Sequence, residues 1–180
     1  MTDYKRRYII QTLLDADLFQ KKKVIDRHSF LTLEGDIDSN IYYVEKGSLR
    51  IFIRDEDQER TIRFGYKENI IVCLDSFLSE KPTDFYIQAI KKTEIKVASK
   101  KDFYEFIKSS NENLKLWTLI LEDLVLQQIE REKDLLINSP RERYDRVLKR
   151  SPKLFQEVPN KHIANYLRMS PETLSRLKKS

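Results

Sequence analysis

Apolar residues follow two different periods along the chain, and the changes between them predict its elements. Near the start Tyr8, Ile9, Leu13, Leu14 and Leu18 recur at roughly helical spacing, as in a short amphipathic helix. From Lys23 the pattern shortens to runs rich in Val, Ile, Phe, Thr and Tyr at 29–33, 41–44, 48–54, 60–64, 69–74, 85–90 and 94–98. Turn signals separate them, among them Glu34-Gly35-Asp36, Asp38-Ser39-Asn40 and Glu45-Lys46-Gly47. The only glycines, Gly35, Gly47 and Gly65, are all expected in such turns, where a positive φ is needed. Seven or eight short strands predict an antiparallel jelly-roll-like β-roll.

Strand character ends near Ser99. Residues 101–108 read as a short helix, and residues 113–138, free of Gly and Pro, as one long helix. In it Leu114, Trp117, Leu121, Leu124 and Gln128, then Arg131 and Leu135, fall on alternating three- and four-residue steps, the seam of a coiled coil. An exposed seam predicts pairing of two chains about a two-fold axis. Ser139-Pro140 supplies an N-cap and a first-turn proline for a basic helix at 141–150. Beyond Ser151-Pro152, a helix at about 160–167 opened by Pro159, a turn at Arg168-Met169 and a second helix capped by Ser170 with Pro171 at its first position form a helix-turn-helix pattern. The expected class is α+β: a β-roll over 1–110, a connecting helix over 111–138 and a small all-α unit over 139–180.

Composition removes several alternatives. With 40% apolar residues, nine Phe and nine Tyr, the chain can form a core. Its single cysteine, Cys73, and two histidines, His28 and His162, exclude a disulfide framework and make a thiolate metal cluster untenable. No stretch approaches the ~18–20 apolar residues of a membrane span, and residues 1–17 lack a signal-like apolar run. A cytoplasmic protein without membrane contact is expected. No phosphate-cradling glycine loop, nucleophile–base spacing or metal-ligand cluster points to an enzyme, and no cofactor is implied. Asp55 and Asp57 read as solvated hairpin-turn acids.

The net charge of +5 is unevenly distributed: +1 over 1–110, −3 over 111–138 and +7 over 139–180. A basic helix-turn-helix unit predicts double-stranded DNA as partner, the second helix entering the major groove. Glu172, Thr173, Ser175 and Arg176 are candidates for base readout, because Glu accepts from cytosine N4 and Arg bridges guanine O6 and N7. Lys161, Ser170, Lys178 and Lys179 are candidates for phosphate contact. His162 is expected to face outward as a surface residue.

The first turn "LEGD" (33–36), the strand "IYYVEKGSLRIF" (41–52), the hairpin "RDEDQERTIRF" (54–64), the long helix and "IANYLRMSPETLSRLKK" (163–179), in this order, resemble the Crp/Fnr family of bacterial transcription regulators. The resemblance implies a cyclic-nucleotide-binding-like sensor domain, a homodimer, RNA polymerase as a candidate partner and an unidentified small-molecule effector. It also exposes departures. Where nucleotide-binding members carry Gly-Glu-Leu and then an Arg for the ribose and cyclic phosphate, this chain has Val72 and Cys73, with Thr83 near the Arg position and Lys81 close by. These four mark a degenerate effector pocket and argue against ordinary cyclic AMP binding. Cys73 in an apolar strand reads as a core residue rather than a redox sensor. Residues 151–158 are too few for a β-hairpin wing, and Pro171 stands where activator-type members read guanine with an Arg. The alternative is a small-ligand sensor or protein-interaction module whose C-terminal unit no longer reads DNA.

Overall fold

Two four-stranded antiparallel sheets enclose the first core. The structure, a computed structural model, describes residues 3–56 and 58–179. After helix α1 (Asp3–Asp15) come strands β1 (Lys21–Ile25), β2 (Phe30–Thr32), β3 (Asn40–Lys46), β4 (Ser48–Asp55), β5 (Gln58–Tyr66) and β6 (Ile70–Val72), helix α2 (Leu74–Ser79), and strands β7 (Tyr86–Ala89) and β8 (Thr93–Ser99). The sheet orders are β1-β8-β3-β6 and β2-β7-β4-β5. Tyr42, Val44, Leu49, Ile51, Ile87 and Ile95 alternate with outward residues and fill the space between the sheets. This is the expected β-roll.

Local departures from the pattern have physical causes. Strand β1 escapes the sequence pattern because four of its five residues are exposed and three are lysines, a composition that protects a sheet edge from strand addition. Gly47 holds φ +90° between β3 and β4, and a Cβ there would come within 2.4 Å of the Lys92 carbonyl oxygen. Gly65, expected in a turn, lies inside β5; a Cβ would meet Ile71 of β6 at 2.3 Å, so close packing, not a positive φ, requires it. The apolar run at 69–74, read as one strand, breaks after Val72 into α2. Asp55 pairs with Arg60 at 2.7 Å, and Asp57 lies outside the described residues.

Helices α3 (Lys100–Lys108) and α4 (Asn111–Leu136) follow, capped by Ser99 and Ser110, whose side chains accept the Asp102 and Asn113 amides. Ile9 and Leu13 of α1, Phe77 of α2, Phe103 and Ile107 of α3 and Leu116 of α4 form a second core against the outer side of the first sheet. The Trp117 ring stands edge-on to Phe103 at 5.4 Å.

The rest is helical: α5 (Pro140–Arg150), α6 (Leu154–Glu157), α7 (Asn160–Tyr166) and α8 (Pro171–Lys179). Ser139 caps α5 through the Glu142 amide, with Pro140 in its first turn. Among the described residues no strand lies in this unit, in keeping with the absence of a wing. Its core of Val147, Leu154, Ile163, Ala164, Leu167 and Leu174 is continuous with Phe64 and Ile90 of the roll. At the α4–α5 joint the Asp134 carboxylate, with 0% exposure, sits between Arg146, at 3.1 Å, and Arg150.

Candidate functional site

Two places carry the chemistry expected from sequence: the degenerate pocket inside the roll and the helix-turn-helix surface. In the pocket Cys73 and Thr83 are buried. The Cys73 thiol donates to Thr83 Oγ1 at 3.1 Å, and the Thr83 hydroxyl donates to Asp75 Oδ2 at 2.7 Å. Partial burial alone would raise the Asp75 pKa, but the Thr83 hydroxyl and the Ser76 and Asp84 amides hold it below its ordinary value. A second buried carboxylate, Asp38, accepts from the Tyr42 hydroxyl at 2.8 Å and from Thr32 Oγ1 at 2.5 Å. Its charge and the desolvation of burial raise the Tyr42 pKa, burial first. Burial also pushes the Cys73 thiol up to about 12, so it stays protonated and is a poor redox centre. Val72 is half-buried, and Lys81 is exposed at the surface.

A cyclic phosphate needs a cation and free donors. The residues here are instead two carboxylates, Asp38 and Asp75, that accept hydrogen bonds from within the chain. Asp38 and Asp75 escape the sequence reading because the resemblance directs attention to the Gly, Glu and Arg positions alone. Cyclic AMP, at a hundredfold excess over the Kd of a competent domain, would stabilise that domain by about 2.7 kcal/mol. Here it is expected to leave the thermal melting midpoint unchanged; a saturable rise would show that the pocket still binds it.

In the C-terminal unit α7 and α8 are joined by a turn in which Arg168 adopts φ +55°. Ala164 and Leu174 are fully buried where the helices meet, and Met169 packs partly buried against the same core. The Ser170 hydroxyl accepts the Thr173 amide at 3.2 Å, the expected N-cap. Glu172, Ser175, Arg176, Lys178 and Lys179 are exposed on α8 and Thr173 is half-buried; Lys161 is exposed on α7. The Glu172 carboxyl is held below its usual range first by a backbone hydrogen bond at the helix start and then by the Ser170 hydroxyl. Arg176 Nη2 lies 3.5 Å from Thr173 Oγ1. Lys178 is less free than its position suggests: Nζ donates to Asn160 Oδ1 at 2.6 Å and lies 5.6 Å from the centre of the Phe155 ring, tying α8 to the start of α7.

Much of the basic excess in this unit is structural. Arg143, which sequence reasoning assigned no role, donates to the carbonyls of Leu167, Ile137, Asn138 and Arg168 at 2.6–3.1 Å, fixing α5 to the inter-helix turn and the end of α4. Arg146 and Arg150 hold Asp134, and Arg141 pairs with Asp145. His162 does not face outward: it is 9% exposed, packed near Arg50 of β4, and burial followed by the Arg50 charge lowers its pKa to about 4. Beside it Asn165 docks α7 on the free edge of β5, its Oδ1 accepting the Thr61 amide at 2.8 Å and its Nδ2 donating to the Glu59 carbonyl at 2.7 Å. Arg131 completes the joint, its guanidinium 3.7 Å from the centre of the Tyr166 ring and donating to the Tyr166 carbonyl at 2.8 Å.

The predicted helix seam divides. Leu114 and Gln128 are exposed and Leu121 is half-buried, but Trp117 turns to α3, and Leu124 faces a cavity beside the roll. The exposed apolar face instead includes Val125, Leu126 and Ile129 beside Leu114. The straight helix drifts from the seven-residue repeat, so the seam rotates onto the chain's own roll.

The cyclic nucleotide-binding domain family matches residues 22–110. That stretch has the cyclic nucleotide-binding domain fold. The family match covers the β-roll and α3, including Asp38, Cys73, Asp75 and Thr83. Over nearly the whole length the chain has the Crp/Fnr regulator fold. It is similar to a CooA double mutant from Carboxydothermus hydrogenoformans, at 17% identity and TM-score 0.71, over 95% of this chain and 82% of that one. It is similar to FixK2 from Bradyrhizobium japonicum, at 15% and 0.69, over 88% and 82%. A third similar structure is CLP from Xanthomonas campestris, described as a c-di-GMP responsive global regulator, at 15% and 0.66, over 94% and 90%. No curated protein matches the chain. Among the described residues no helix is long and apolar enough to cross a membrane, and no group of three metal-ligating side chains occurs.

Proposed function

We propose that the chain is a DNA-binding transcription regulator rather than an enzyme, acting as a homodimer on a two-fold symmetric site without ordinary cyclic AMP binding. The observation that carries this reading is α8: a capped helix anchored by the fully buried Leu174, presenting Glu172, Ser175, Arg176 and Lys179 to solvent on its outer side. That surface stays open although α7 is docked on the roll. In a dimer formed along Val125, Leu126 and Ile129 of α4, two such helices enter successive major grooves about 34 Å apart. Similarity in fold to the global regulator CLP supports the same class.

Selection of bound sequences from random DNA, followed by titration, tests the proposal. Affinity for the selected site is expected to fall steeply with rising salt, since Lys161 and Lys179 are placed for phosphates. Arg176→Ala is expected to weaken the selected site by about 10- to 100-fold, or roughly 1–3 kcal/mol, and to relax preference at one base pair. Lys179→Ala is expected to weaken all sequences alike. If no sequence is enriched, the chain is a ligand sensor or interaction module with a degenerate DNA-binding unit.

A further inference from the structure

A cavity of about 310 Å³ lies outside the nucleotide pocket, between α1, the free edges of β5 and β6, α4 and the start of the C-terminal unit. Of the effector-pocket positions Val72 lines it from its outer side, whereas Cys73, Asp75 and Thr83 are not among its walls. Its size is at the lower end of small-molecule sites, roughly 300–1,000 Å³. Ile9, Leu13, Ile62, Phe64, Trp117 and Leu124 give it an apolar lining.

The wall also carries four arginines and two acids, Glu68 and Asp123, and among the arginines Arg63 of β5 stands apart. It is half-buried and, among the described residues, makes no hydrogen bond or ion pair. The other arginines at the cavity are engaged: Arg6 faces Asp123 at 3.8 Å, Arg131 binds the Tyr166 carbonyl, and Arg150 holds Asp134. Of the two groups whose charge acts on Arg63, Tyr166 first and Asp123 second, Tyr166 carries its carbonyl bond to Arg131, and Asp123 already faces Arg6 and accepts from Gln127 at 2.5 Å. Burial lowers the Arg63 pKa, yet a guanidinium stays protonated, so an unpaired cation is held against an apolar wall. Such a group is destabilising until an anion pairs with it, and a carboxylate matches its two-pronged geometry.

We propose that this cavity binds a monoanionic amphiphile, a carboxylate with a medium-length apolar tail, with the carboxylate on Arg63 and the tail between α1 and α4. Among the described residues at the cavity Arg63 alone is a cation without a hydrogen bond or ion pair, and with Glu68 and Asp123 also in the wall, ligands bearing several phosphates are disfavoured because their extra charges would be buried unpaired. Tyr166 and Val147 also line the cavity, so its occupancy reaches the DNA-binding unit directly. This regulatory consequence rests on the proposed function; the binding step does not.

Trp117 is the only tryptophan in the chain and lines the cavity, so its emission reports occupancy without DNA. Octanoate, octanol and octylamine are the probes, titrated against the full chain below their aggregation concentrations. Octanoate is expected to change the emission saturably and to bind at least tenfold more tightly than octanol, with octylamine weakest. Arg63→Gln is expected to remove the preference for octanoate while octanol binding persists, and Arg63→Lys to retain part of it. Persisting octanol binding also shows that the variant is folded. Equal binding of octanoate and octanol, no saturable response, or an undiminished preference in Arg63→Gln overturns the proposal. If octanoate binds through Arg63 but leaves affinity for the selected DNA site unchanged, the ligand site stands and its regulatory role falls. Conversely, selective DNA binding with no octanoate response leaves the proposed function intact and removes the site.

Discussion

Asp134→Ala is expected to lower the unfolding free energy by about 3 kcal/mol, measured by urea denaturation followed by circular dichroism. The carboxylate is fully buried and faces two guanidiniums, from Arg146 and Arg150 of α5, so its loss leaves two positive charges side by side at the α4–α5 joint. Breaking a buried ion pair by removing one partner costs about 3–5 kcal/mol. The lower end applies because the two arginine side chains are 32% and 31% exposed and regain water when the acid is gone. Asp134→Asn, which keeps the shape and some hydrogen bonding but not the charge, is expected to fall between the two. A loss below about 1 kcal/mol for Asp134→Ala would show that the joint is held by apolar contacts alone.

Leu174→Ala is expected to cost about 2–5 kcal/mol, the range for truncating a fully buried leucine where a cavity remains. The C-terminal unit has a small core, so there are few neighbours to close the gap. Loss of specific DNA binding is therefore expected before the β-roll melts, visible as a two-step thermal transition in place of one. Leu177→Ala, at a partly buried position on the same helix, is expected to cost less. A single transition with DNA binding retained would mean that α8 is not held by this contact.

The roll and the helix-turn-helix were legible in the sequence because each rests on a local signal. The strands repeat every second residue, and Ser170-Pro171 is a helix start that needs no tertiary information. The features that misled depend on neighbours distant in sequence. Gly65 reads as a turn residue until Ile71 is seen against it. The basic excess of residues 139–180 reads as charge facing DNA, and only the fold shows that Arg143 is spent on backbone carbonyls and Arg150 on Asp134. The exposed apolar face of α4 shares Leu114 with the predicted seam but not Trp117 or Leu124, because coiled-coil spacing does not say which side meets the chain's own sheet. Asp38 and Asp75 gather their hydrogen-bond partners only through the fold.

Asn165 has a consequence for the whole chain when α7 leaves the roll. β5 is an edge strand, and the amide of Asn165 supplies a donor and an acceptor where a neighbouring strand would. Withdrawing α7 uncovers the Glu59 carbonyl and the Thr61 amide together with the aromatic ring of Phe64. An unpaired backbone edge beside apolar surface is a template for recruiting another chain. The C-terminal unit therefore acts as a cover against aggregation, and any motion that frees it must be brief or must end with another surface taking over the bared strand.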